Sequence, residues 1–245
     1  MTIIKWHSAA LSDTGNVRTL NEDAFLELPE SRLWLVADGM GGHEAGDVAS
    51  QTIVDCFKTF NQRKKARSLN QMVAQVIRRL RKANRIMLKL AEERAEKVII
   101  GSTAVILVTW GSRCAMVWAG DSRIYRFRRK KLKQLTKDHS EVQKLVDLGI
   151  IAAEHAQFHP ASNAITNALG VFKKFRPEVI YDRFIPGDRY LLCTDGLNGE
   201  VSDYEIGECL KKHKGAEAVN NLVQMTLSRS ARDNVTLMTV WRSKK

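Results

Sequence analysis

The stretch LWLVADGMGGHEAG, residues 33–46, passes from an apolar strand pattern into an aspartate and then through four glycines before a helical pattern begins. Glycine loses more conformational entropy on ordering than any other residue, so this composition indicates a backbone that turns sharply or approaches another group closely. Asp38 stands at the end of the strand pattern, where its carboxylate leaves the core. We therefore predict that this segment faces a metal ion or a phosphate group.

The same placement of an aspartate recurs elsewhere in the chain. Four other aspartates lie next to an apolar strand pattern: Asp23, Asp121, Asp195 and Asp233. A single Asp-Gly step after a strand is usually a plain turn. Five aspartates at strand ends are a different case, because the rigid ends of packed strands can hold carboxylates close together with little further loss of entropy. Converging carboxylates repel one another unless cations neutralise them, so the pattern favours a metal site.

The donor atoms narrow the choice of metal. Carboxylates, backbone carbonyls and water suit Mg²⁺ or Mn²⁺, whereas a zinc site is expected to recruit histidine or cysteine. Two such ions about 3.5–4 Å apart can lower the pKa of a shared water and direct it at a phosphorus atom. A phosphate also needs a cationic partner, and Arg18, five residues before Asp23, carries a planar guanidinium that can pair with two phosphate oxygens.

Length and composition limit the domain organisation. The chain has 245 residues, of which 44% are hydrophobic, so it can form one large domain with a substantial core. Its longest apolar stretch, residues 98–110, is too short to span a membrane, and the first residues lack the apolar core of a signal peptide. We therefore expect a single cytoplasmic domain over residues 1–245. The four cysteines form no CxxC pair, which argues against a zinc or disulfide framework.

The formal net charge of +12 is concentrated in two segments. Residues 58–97 contain 13 lysines and arginines against three acids, which gives this segment a charge of +10. The second segment, RIYRFRRKKLK at 123–133, alternates cations with aromatic residues, as a nucleic-acid-binding surface can. We favour a solvated hairpin with its apolar residues pointing inward. A nucleic-acid-binding protein would leave the five aspartates without a role and place them near a polyanion.

Apolar periodicity predicts strands and helices that follow one another in blocks rather than in strict alternation. The strand patterns fall near residues 3–10, 24–28, 33–37, 102–110, 113–119, 122–127, 179–184, 189–194 and 235–241. The helical patterns cover residues 44–60, 69–97, 140–148, 203–212 and 216–228, and Ser202 with Glu205 forms a capping box before the fourth of them. This arrangement favours antiparallel sheets flanked by helices.

Eight motifs give the sequence a resemblance to a known family. In chain order they are GNVRTLNEDA (15–24), VADGMGGHEAG (36–46), GSTAVILV (101–108), AGDSRIYRF (119–127), LTKDHS (135–140), AITNALG (164–170), LLCTDGL (191–197) and ARDNVTLMTV (231–240). Together they resemble the metal-dependent protein phosphatases of type 2C in their bacterial form. The resemblance implies an α+β fold, a four-layer α/β/β/α sandwich with a dinuclear metal site at the edge of its two antiparallel sheets. It also implies hydrolysis of phosphoserine and phosphothreonine by attack of a metal-bridging water.

The resemblance further implies a role for individual residues. The expected ligands of two Mn²⁺ or Mg²⁺ ions are Asp23, Asp38, the carbonyl of Gly39, Asp195 and Asp233. Asp121 would share a third ion with Asp195, Glu22 would orient metal-bound water, and Arg18 would bind the substrate phosphate. Met40 stands where some members of the family carry a proton-donating histidine, so the general acid stays open between His43 and a metal-bound water.

The family resemblance also implies a flap segment and the partners of the protein. Residues 138–166 match a substrate-facing flap, whose histidines we expect to be structural. The substrates would be phosphoserine and phosphothreonine proteins modified by a cognate Ser/Thr kinase, with type VI secretion control as one setting. We expect a monomer that binds neither nucleic acid nor membrane. The alternative is a basic scaffold for nucleic acid or protein with a vestigial phosphatase fold, and the presence of every expected metal ligand favours the enzyme.

Overall fold

The computed structural model describes residues 4–41, 45–60, 66–94 and 98–244. Its strands are β1 (Ile4–Asp13), β2 (Asp23–Leu28), β3 (Leu33–Met40), β4 (Gly101–Ser102), β5 (Ala104–Trp110), β6 (Arg113–Ala119), β7 (Arg123–Arg128), β8 (Lys131–Gln134), β9 (Glu178–Arg183), β10 (Arg189–Cys193) and β11 (Val235–Lys244). Its helices are α1 (Ala45–Phe57), α2 (Leu69–Glu93), α3 (Glu141–Asp147), α4 (Asp195–Asn198), α5 (Asp203–Lys212) and α6 (Gly215–Leu227), with short 3-10 turns at Pro29–Ser31 and Ala153–Phe158.

Two sheets with antiparallel pairings form the centre of the molecule. The first sheet has the strand order β1-β11-β10-β7-β8. The second has the order β2-β3-β5-β6-β9, and the short strand β4 pairs with the end of β3. The long pairing of β1 with β11 joins the two ends of the chain, from Ile4 opposite Lys244 to Asp13 opposite Val235.

Alternating side chains divide the apolar residues into three cores. On β3, Trp34 and Val36 point into the space between the sheets, whereas Leu33 and Leu35 pack with residues of α1 and α2. A third cluster lies between the first sheet and helices α5 and α6. The layers therefore run α1 and α2, second sheet, first sheet, α5 and α6. This confirms the sandwich of two antiparallel sheets flanked by helices.

Helix α2 has the apolar stripe that its sequence predicts. The side chain of Ser68 caps its start by accepting the backbone N–H of Gln71, and residues along one face are buried, among them Val76, Leu80 and Met87. The helix ends at Glu93 and Arg94 is extended, which is shorter than the predicted 69–97, although residues 95–97 lie outside the described part of the chain. The predicted helix 44–60 likewise ends at Phe57, because the following residues turn back.

Not every cation on α2 belongs to its solvated face. Arg79 donates from its guanidinium to the backbone carbonyls of Cys56 and Thr59, and its guanidinium carbon lies 5.6 Å from the ring centre of Phe60. Arg79 therefore ties α2 to the end of α1. By contrast Arg78, on the exposed side of the helix, has no ion pair in the described part of the chain.

The basic segment 123–133 is a hairpin, as predicted. Strands β7 and β8 are joined by Arg129 and Lys130, which both adopt the left-handed region with φ of 50° and 62°. Tyr125 and Phe127 are buried on its inner side. Three of its arginines form ion pairs, and we name these pairs the arginine ladder: Arg123 with Asp138, Arg126 with Asp182 of the second sheet, and Arg128 with Asp188.

Three short elements are not separate members of the predicted strand and helix patterns, although β8 is the second strand of the predicted hairpin. Strand β8 carries a single apolar residue, Leu132, and lies at the sheet edge, so it shows no periodic signal. Strand β4 is separated from β5 by Thr103 alone, and α4 is a single turn. All four cysteines are buried and free, in agreement with the absence of a disulfide framework. No helix within the described residues is long and apolar enough to cross a bilayer.

Candidate metal centre

The five aspartates predicted from strand ends converge on one edge of the sandwich, which we name the aspartate edge. Asp23 begins β2 and Asp38 lies near the end of β3, and the two occupy directly opposed positions of the pairing. Directly opposed side chains on antiparallel strands have Cβ atoms about 4.5–5.5 Å apart. The register of β2 with β3 is therefore enough to bring these two carboxylates together.

The first sheet contributes two further aspartates. Asp195 follows β10 as the first residue of α4, and Asp233 precedes β11, the hydrogen-bonded neighbour of β10. The hydroxyl of Thr194 donates to Oδ2 of Asp23 at 2.9 Å, which joins the two sheets at this point. Four aspartates from two different sheets thus face one another across the edge of the sandwich.

Asp121 reaches the same edge from the turn after β6. Gly120 before it has a φ of +102°, and a Cβ at Gly120 would lie 2.5 Å from the side chain of Thr103. The hydroxyl of Thr103 lies 2.7 Å from that of Ser122 and accepts the backbone N–H of Asp38 at 3.2 Å. Thr103 therefore fixes the turn of Asp121 against the end of β3.

Desolvation and mutual repulsion disfavour the ionised form of these carboxylates. Loss of water around the carboxyl raises the pKa of Asp23 to about 7 and that of Asp121 to about 8, and in both the charge of Asp195 adds to the effect. Desolvation also raises the pKa of Asp38, and the charges of the other four aspartates reinforce it. The pKa of Asp195 is raised by desolvation and by the charge of Asp233. Asp38 is thus the centre of a group of carboxylates whose negative charge is only partly offset, by Arg18 beside Asp233 and by Arg123.

The residues present fit a divalent cation with a preference for oxygen. Oδ1 of Asp121 is buried and has no hydrogen-bond partner, an arrangement that costs free energy until something binds to it. The other side chains of the aspartate edge offer only oxygen donors, which suit Mg²⁺ or Mn²⁺. No three His, Cys, Asp or Glu side chains among the described residues already form a closed metal-binding group. The edge is therefore a set of neighbouring carboxylates rather than a finished cage.

Close approach explains the glycine at position 39 of the opening stretch. Gly39 lies in the extended strand β3, and a Cβ there would lie 1.9 Å from the carbonyl oxygen of Gly46 and 2.6 Å from that of Glu22. The N–H of Gly39 donates to the same Glu22 oxygen at 3.1 Å. Close contact, and not a sharp turn, therefore requires glycine at position 39.

Glu22 lies between the aspartate edge and helix α1. Its Oε1 accepts the N–H of Gly46, the second residue of α1, at 3.1 Å, and a Cβ at Gly46 would lie 2.3 Å from that oxygen. The positive end of the helix dipole favours a carboxylate here. Desolvation nevertheless raises the pKa of Glu22, against the lowering effect of this hydrogen bond.

Asn234 holds the segment before β2 in place. Its side-chain oxygen accepts the N–H of Glu22 at 2.8 Å, and its side-chain nitrogen donates to the carbonyls of Thr14 and Leu20 at 2.9 Å each. These three bonds fix both sides of the loop that carries Arg18.

Arg18 is at the rim of the aspartate edge. Its guanidinium lies 2.9 Å from Oδ2 of Asp233, and both side chains are about half exposed. The structure therefore places the predicted phosphate-binding arginine beside a predicted metal ligand, with its charge turned toward solvent as well as toward the carboxylates.

Sequence reasoning missed the residues that support the aspartates. Thr103, Thr194 and Asn234 are buried polar residues, and two of them are direct neighbours of a predicted ligand. For Thr194 and Asn234, the signal in the sequence was a polar residue next to an aspartate at the end of an apolar strand. Which atoms they contact depends on the packing of distant segments, so the pattern alone does not specify their bonds.

The segment 138–166 is anchored at both of its ends beside the turn of Asp121. His139 donates its backbone N–H to the carbonyl of Gly120 at 3.0 Å, and its Nδ1 accepts the N–H of Gly120 at 3.1 Å. Thr166 closes the segment by donating its N–H to the carbonyl of His139 at 2.7 Å. His139 thus has the structural role expected of it, whereas the proposed proton donor His43 lies outside the described residues.

Comparison with known proteins agrees with this geometry. The profile of the family Protein phosphatase 2C matches residues 10–144, more than half of the chain. The chain belongs to this family. The match includes Arg18, Glu22, Asp23, Asp38 and Asp121. The resemblance inferred from the eight motifs is confirmed.

Bacterial serine/threonine phosphatases are relatives of this protein phosphatase 2C chain. Serine/threonine protein phosphatase PstP of Mycobacterium tuberculosis is 37% identical over 230 residues, which cover 94% of this chain and 44% of that protein. The chain thus spans less than half the length of PstP. Serine/threonine phosphatase stp of Listeria monocytogenes is 33% identical over 244 residues, with 96% of each chain covered.

Solved structures of the family share the whole fold. PppA, a key regulatory component of the type VI secretion system in Pseudomonas aeruginosa, has a TM-score of 0.89 and 38% identity, covering 99% of this chain and 100% of that one. The catalytic domain of PstP in complex with two manganese ions has a TM-score of 0.87 and 35% identity, covering 98% of this chain and 99% of that one.

Proposed function

We propose that this chain is a Mn²⁺- or Mg²⁺-dependent protein phosphatase that hydrolyses phosphoserine and phosphothreonine side chains. The observation that supports this most strongly is the aspartate edge, where carboxylates with raised pKa surround Asp38 on a protein phosphatase 2C fold. Carboxylates held together in this way are stabilised by cations from outside the chain. The PstP structure with two manganese ions supports this choice of cation.

The positions of the aspartates support a set of metal ligands as part of this proposal. Asp38 would be shared by two ions because its carboxylate is the common neighbour of the others. The remaining ligands would be Asp23, Asp195, Asp233 and the carbonyl of Gly39, and Asp121 with Asp195 would hold a third ion. When bound, such ions lower the pKa of water and polarise a phosphate group.

The chain itself supplies orientation and charge for the reaction. Glu22, fixed by the N–H of Gly46, would accept a hydrogen bond from the attacking water and so orient it. Arg18 would bind two oxygens of the substrate phosphate through its planar guanidinium. Its position at the rim, beside Asp233, suits a group that meets the substrate before the carboxylates do.

We also propose the cellular role that the sequence suggested. The protein would act as a monomeric domain over residues 1–245 in the cytoplasm, with residues 138–166 as a flap that faces the substrate. Its substrates would be proteins phosphorylated by a Ser/Thr kinase, and the likeness to PppA favours control of type VI secretion as the setting. A comparison of phosphoproteins before and after deletion of the gene tests this role, because kinase substrates should gain phosphoserine and phosphothreonine.

Hydrolysis assays with the purified protein test the activity. Mn²⁺ or Mg²⁺ should permit hydrolysis of p-nitrophenyl phosphate and of a phosphothreonine peptide, and excess chelator should abolish both. A scaffold with a vestigial phosphatase fold would hydrolyse neither compound under any condition. Full activity in excess chelator would contradict the metal-dependent mechanism.

A further inference from the structure

We propose that a surface beside the aspartate edge docks the substrate chain on either side of the phosphorylated residue, and that it selects apolar and acidic neighbours of that residue. The proposal rests on the proposed phosphatase function and names the substrate class for it. We name this surface the docking surface and define it by its residues: Ile99, Val171, Phe172, Lys173, Lys174 and Arg176.

The docking surface is continuous with the end of strand β3. Gly39 pairs with Ser102 of β4, and Ser102 forms a bridge with Leu169 through two backbone hydrogen bonds of 3.1 and 2.9 Å. Beyond this bridge the two segments stay in contact. A Cβ at Gly170 would lie 1.9 Å from the carbonyl oxygen of Ile100, and a Cβ at Gly101 would lie 3.2 Å from Cγ2 of Val171. Ile99 directly precedes Ile100, and Phe172 directly follows Val171. The surface therefore begins next to the glycine whose carbonyl we assign to the metal centre.

Three large apolar side chains are exposed on this surface. The exposed fractions are 59% for Ile99, 45% for Phe172 and 36% for Val171. Near the aspartate edge, Cγ2 of Val171 and Cε of Met40 both approach the backbone of Gly101, each 3.2 Å from the position of a Cβ there. Exposed apolar side chains that form one patch next to a reaction site are typical of a binding surface rather than of scattered surface residues.

A buried asparagine holds the loop of residues 170–176, which carries Val171 and Phe172. Asn84 of α2 is 3% exposed, and its side chain accepts the N–H of Gly170 at 2.7 Å and donates to the carbonyl of Phe172 at 3.1 Å. Phe175 anchors the other side of the loop in the core. Because the loop is already ordered, Phe172 can bind a peptide without a large loss of backbone entropy.

The charges of this loop favour acidic residues in the bound chain. Lys173, Lys174 and Arg176 are exposed and form no ion pair in the described part of the chain. On the helix that carries Asn84, Arg81 and Arg85 are exposed as well, and neither forms an ion pair with any of the described residues. A protein segment with one or two acids and an apolar residue matches this surface better than a nucleic acid, whose continuous negative charge would also lie over the aspartate edge.

Two double variants of the docking surface test the proposal. Ile99→Ser with Phe172→Ser removes its apolar part, and Lys173→Glu with Lys174→Glu reverses part of its charge. The matched controls are Tyr204→Ser, an exposed aromatic on α5, and Lys130→Glu with Lys131→Glu at the far turn of the basic hairpin. All proteins are assayed with Mn²⁺ on three substrates: p-nitrophenyl phosphate, a phosphothreonine peptide flanked by Leu and Glu on both sides, and one flanked by Ala and Gln.

Each docking variant should lower kcat/KM for the Leu/Glu peptide by about tenfold, the usual size of the loss of one apolar or charged contact. For p-nitrophenyl phosphate, which has no flanking chain, kcat/KM should stay within about twofold of the original. The effect of the charge reversal should also shrink at high salt, since exposed charges are screened over about 8–10 Å at physiological ionic strength.

The proposed docking surface would be contradicted if the docking variants lost kcat/KM equally on both peptides or on neither. It would also be contradicted if the control variants showed the same loss. A wild-type protein that hydrolyses none of the three compounds with Mn²⁺ would instead contradict the proposed function, and the docking surface with it.

Discussion

Asp121 and Arg123 are two residues apart, yet they belong to two regions in which the carboxylates have different surroundings. In the arginine ladder each aspartate has its own guanidinium, at distances of 2.7 Å for Asp138, 2.5 Å for Asp182 and 2.7 Å for Asp188. At the aspartate edge, the described residues supply only one such contact, between Arg18 and Asp233. The chain is rich in cations, so their small number at the edge is not a matter of composition.

The pKa values follow this difference. Burial alone would raise the pKa of Asp182, but the N–H of Arg183 and the guanidinium of Arg126 lower it below its usual value. At the aspartate edge, desolvation and neighbouring carboxylates raise the pKa of Asp23 and Asp121 to about 7 and about 8. The carboxylates of the ladder thus have a counter-charge within the chain, whereas those of the edge with raised pKa are available to an external cation.

Removing the central carboxylate of the edge should have the largest effect on activity. We expect Asp38→Asn to lower kcat by about a thousandfold or more, the size typical of losing a major electrostatic contribution to catalysis. Steady-state hydrolysis of p-nitrophenyl phosphate with Mn²⁺ measures it. Asp182→Asn in the arginine ladder is the matched control and should change kcat by less than about threefold. A loss below tenfold in Asp38→Asn would mean that the site lies elsewhere.

Removing a carboxylate from the ladder should instead lower stability. Asp188 has a side chain that is 1% exposed, and it accepts two hydrogen bonds from Arg128 and one from the N–H of Ile185. The amide N–H of an asparagine would face the donors of Arg128 or Ile185, and a buried polar group without its partner costs about 1–3 kcal/mol, so Asp188→Asn should lower the free energy of unfolding by about 2 kcal/mol. Urea unfolding measures this. The two regions would not differ as we argue if Asp38→Asn, in chelator, proved equally destabilising.

The pH dependence of stability should separate the two regions next. Between the usual aspartate pKa of 3.8 and the raised values of about 7 and 8, the folded metal-free protein binds more protons at Asp23 and Asp121 than the unfolded chain does. The protonated carboxyls of Asp23 and Asp121 therefore contribute stability to the folded protein. This stability is fully present below pH 3.8 and is lost as pH rises through about 7 to 8. In chelator, the melting temperature should therefore fall between pH 5 and pH 8.

Saturating Mn²⁺ should remove most of that decline, because the bound cation favours the ionised carboxylates. Asp38→Asn in chelator should show a shallower decline than the original protein, since one repelling charge is gone. A melting temperature of the metal-free protein that rises steadily from pH 5 to pH 8 would contradict the raised pKa values.

The strand ends that carry the aspartates, and one helix cap, could be predicted from local sequence patterns. The strand ends of Asp23, Asp38 and Asp195 are visible in the sequence because each follows or precedes an apolar run, and one strong run is enough to place a strand. The capping box of Ser202 and Glu205 was found for the same reason, since its bonds join residues three positions apart.

Contacts between distant segments could not be predicted. The basic segment 123–133 shows a hairpin in the sequence, but nothing in it indicates that Arg126 and Arg128 meet Asp182 and Asp188 on another part of the chain. The bond from Asn234 to Glu22 likewise spans 212 residues. Such pairs depend on which strands become neighbours and on how the two sheets pack, and a single sequence contains no local signal for either.

Arg18 gives the aspartate edge its one likeness to the arginine ladder within the described residues, because its guanidinium pairs with Asp233. Arg18→Lys keeps the charge but loses the planar fork, so we expect KM for a phosphothreonine peptide to rise about fivefold. The affinity for Mn²⁺, measured by calorimetry, should stay within about twofold. A fall in Mn²⁺ affinity without a change in KM would make Arg18 a structural partner of Asp233, like the arginines of the ladder.

The most direct test of the account is to locate manganese in crystals of this protein by anomalous scattering. We expect two ions at the aspartate edge with oxygens of Asp38 about 2–2.5 Å away, a third ion between Asp121 and Asp195, and none at the arginine ladder. The same measurement on Asp38→Asn should show the loss of at least one ion. Manganese bound elsewhere on the surface, with the five aspartates of the edge left without it, would contradict the account.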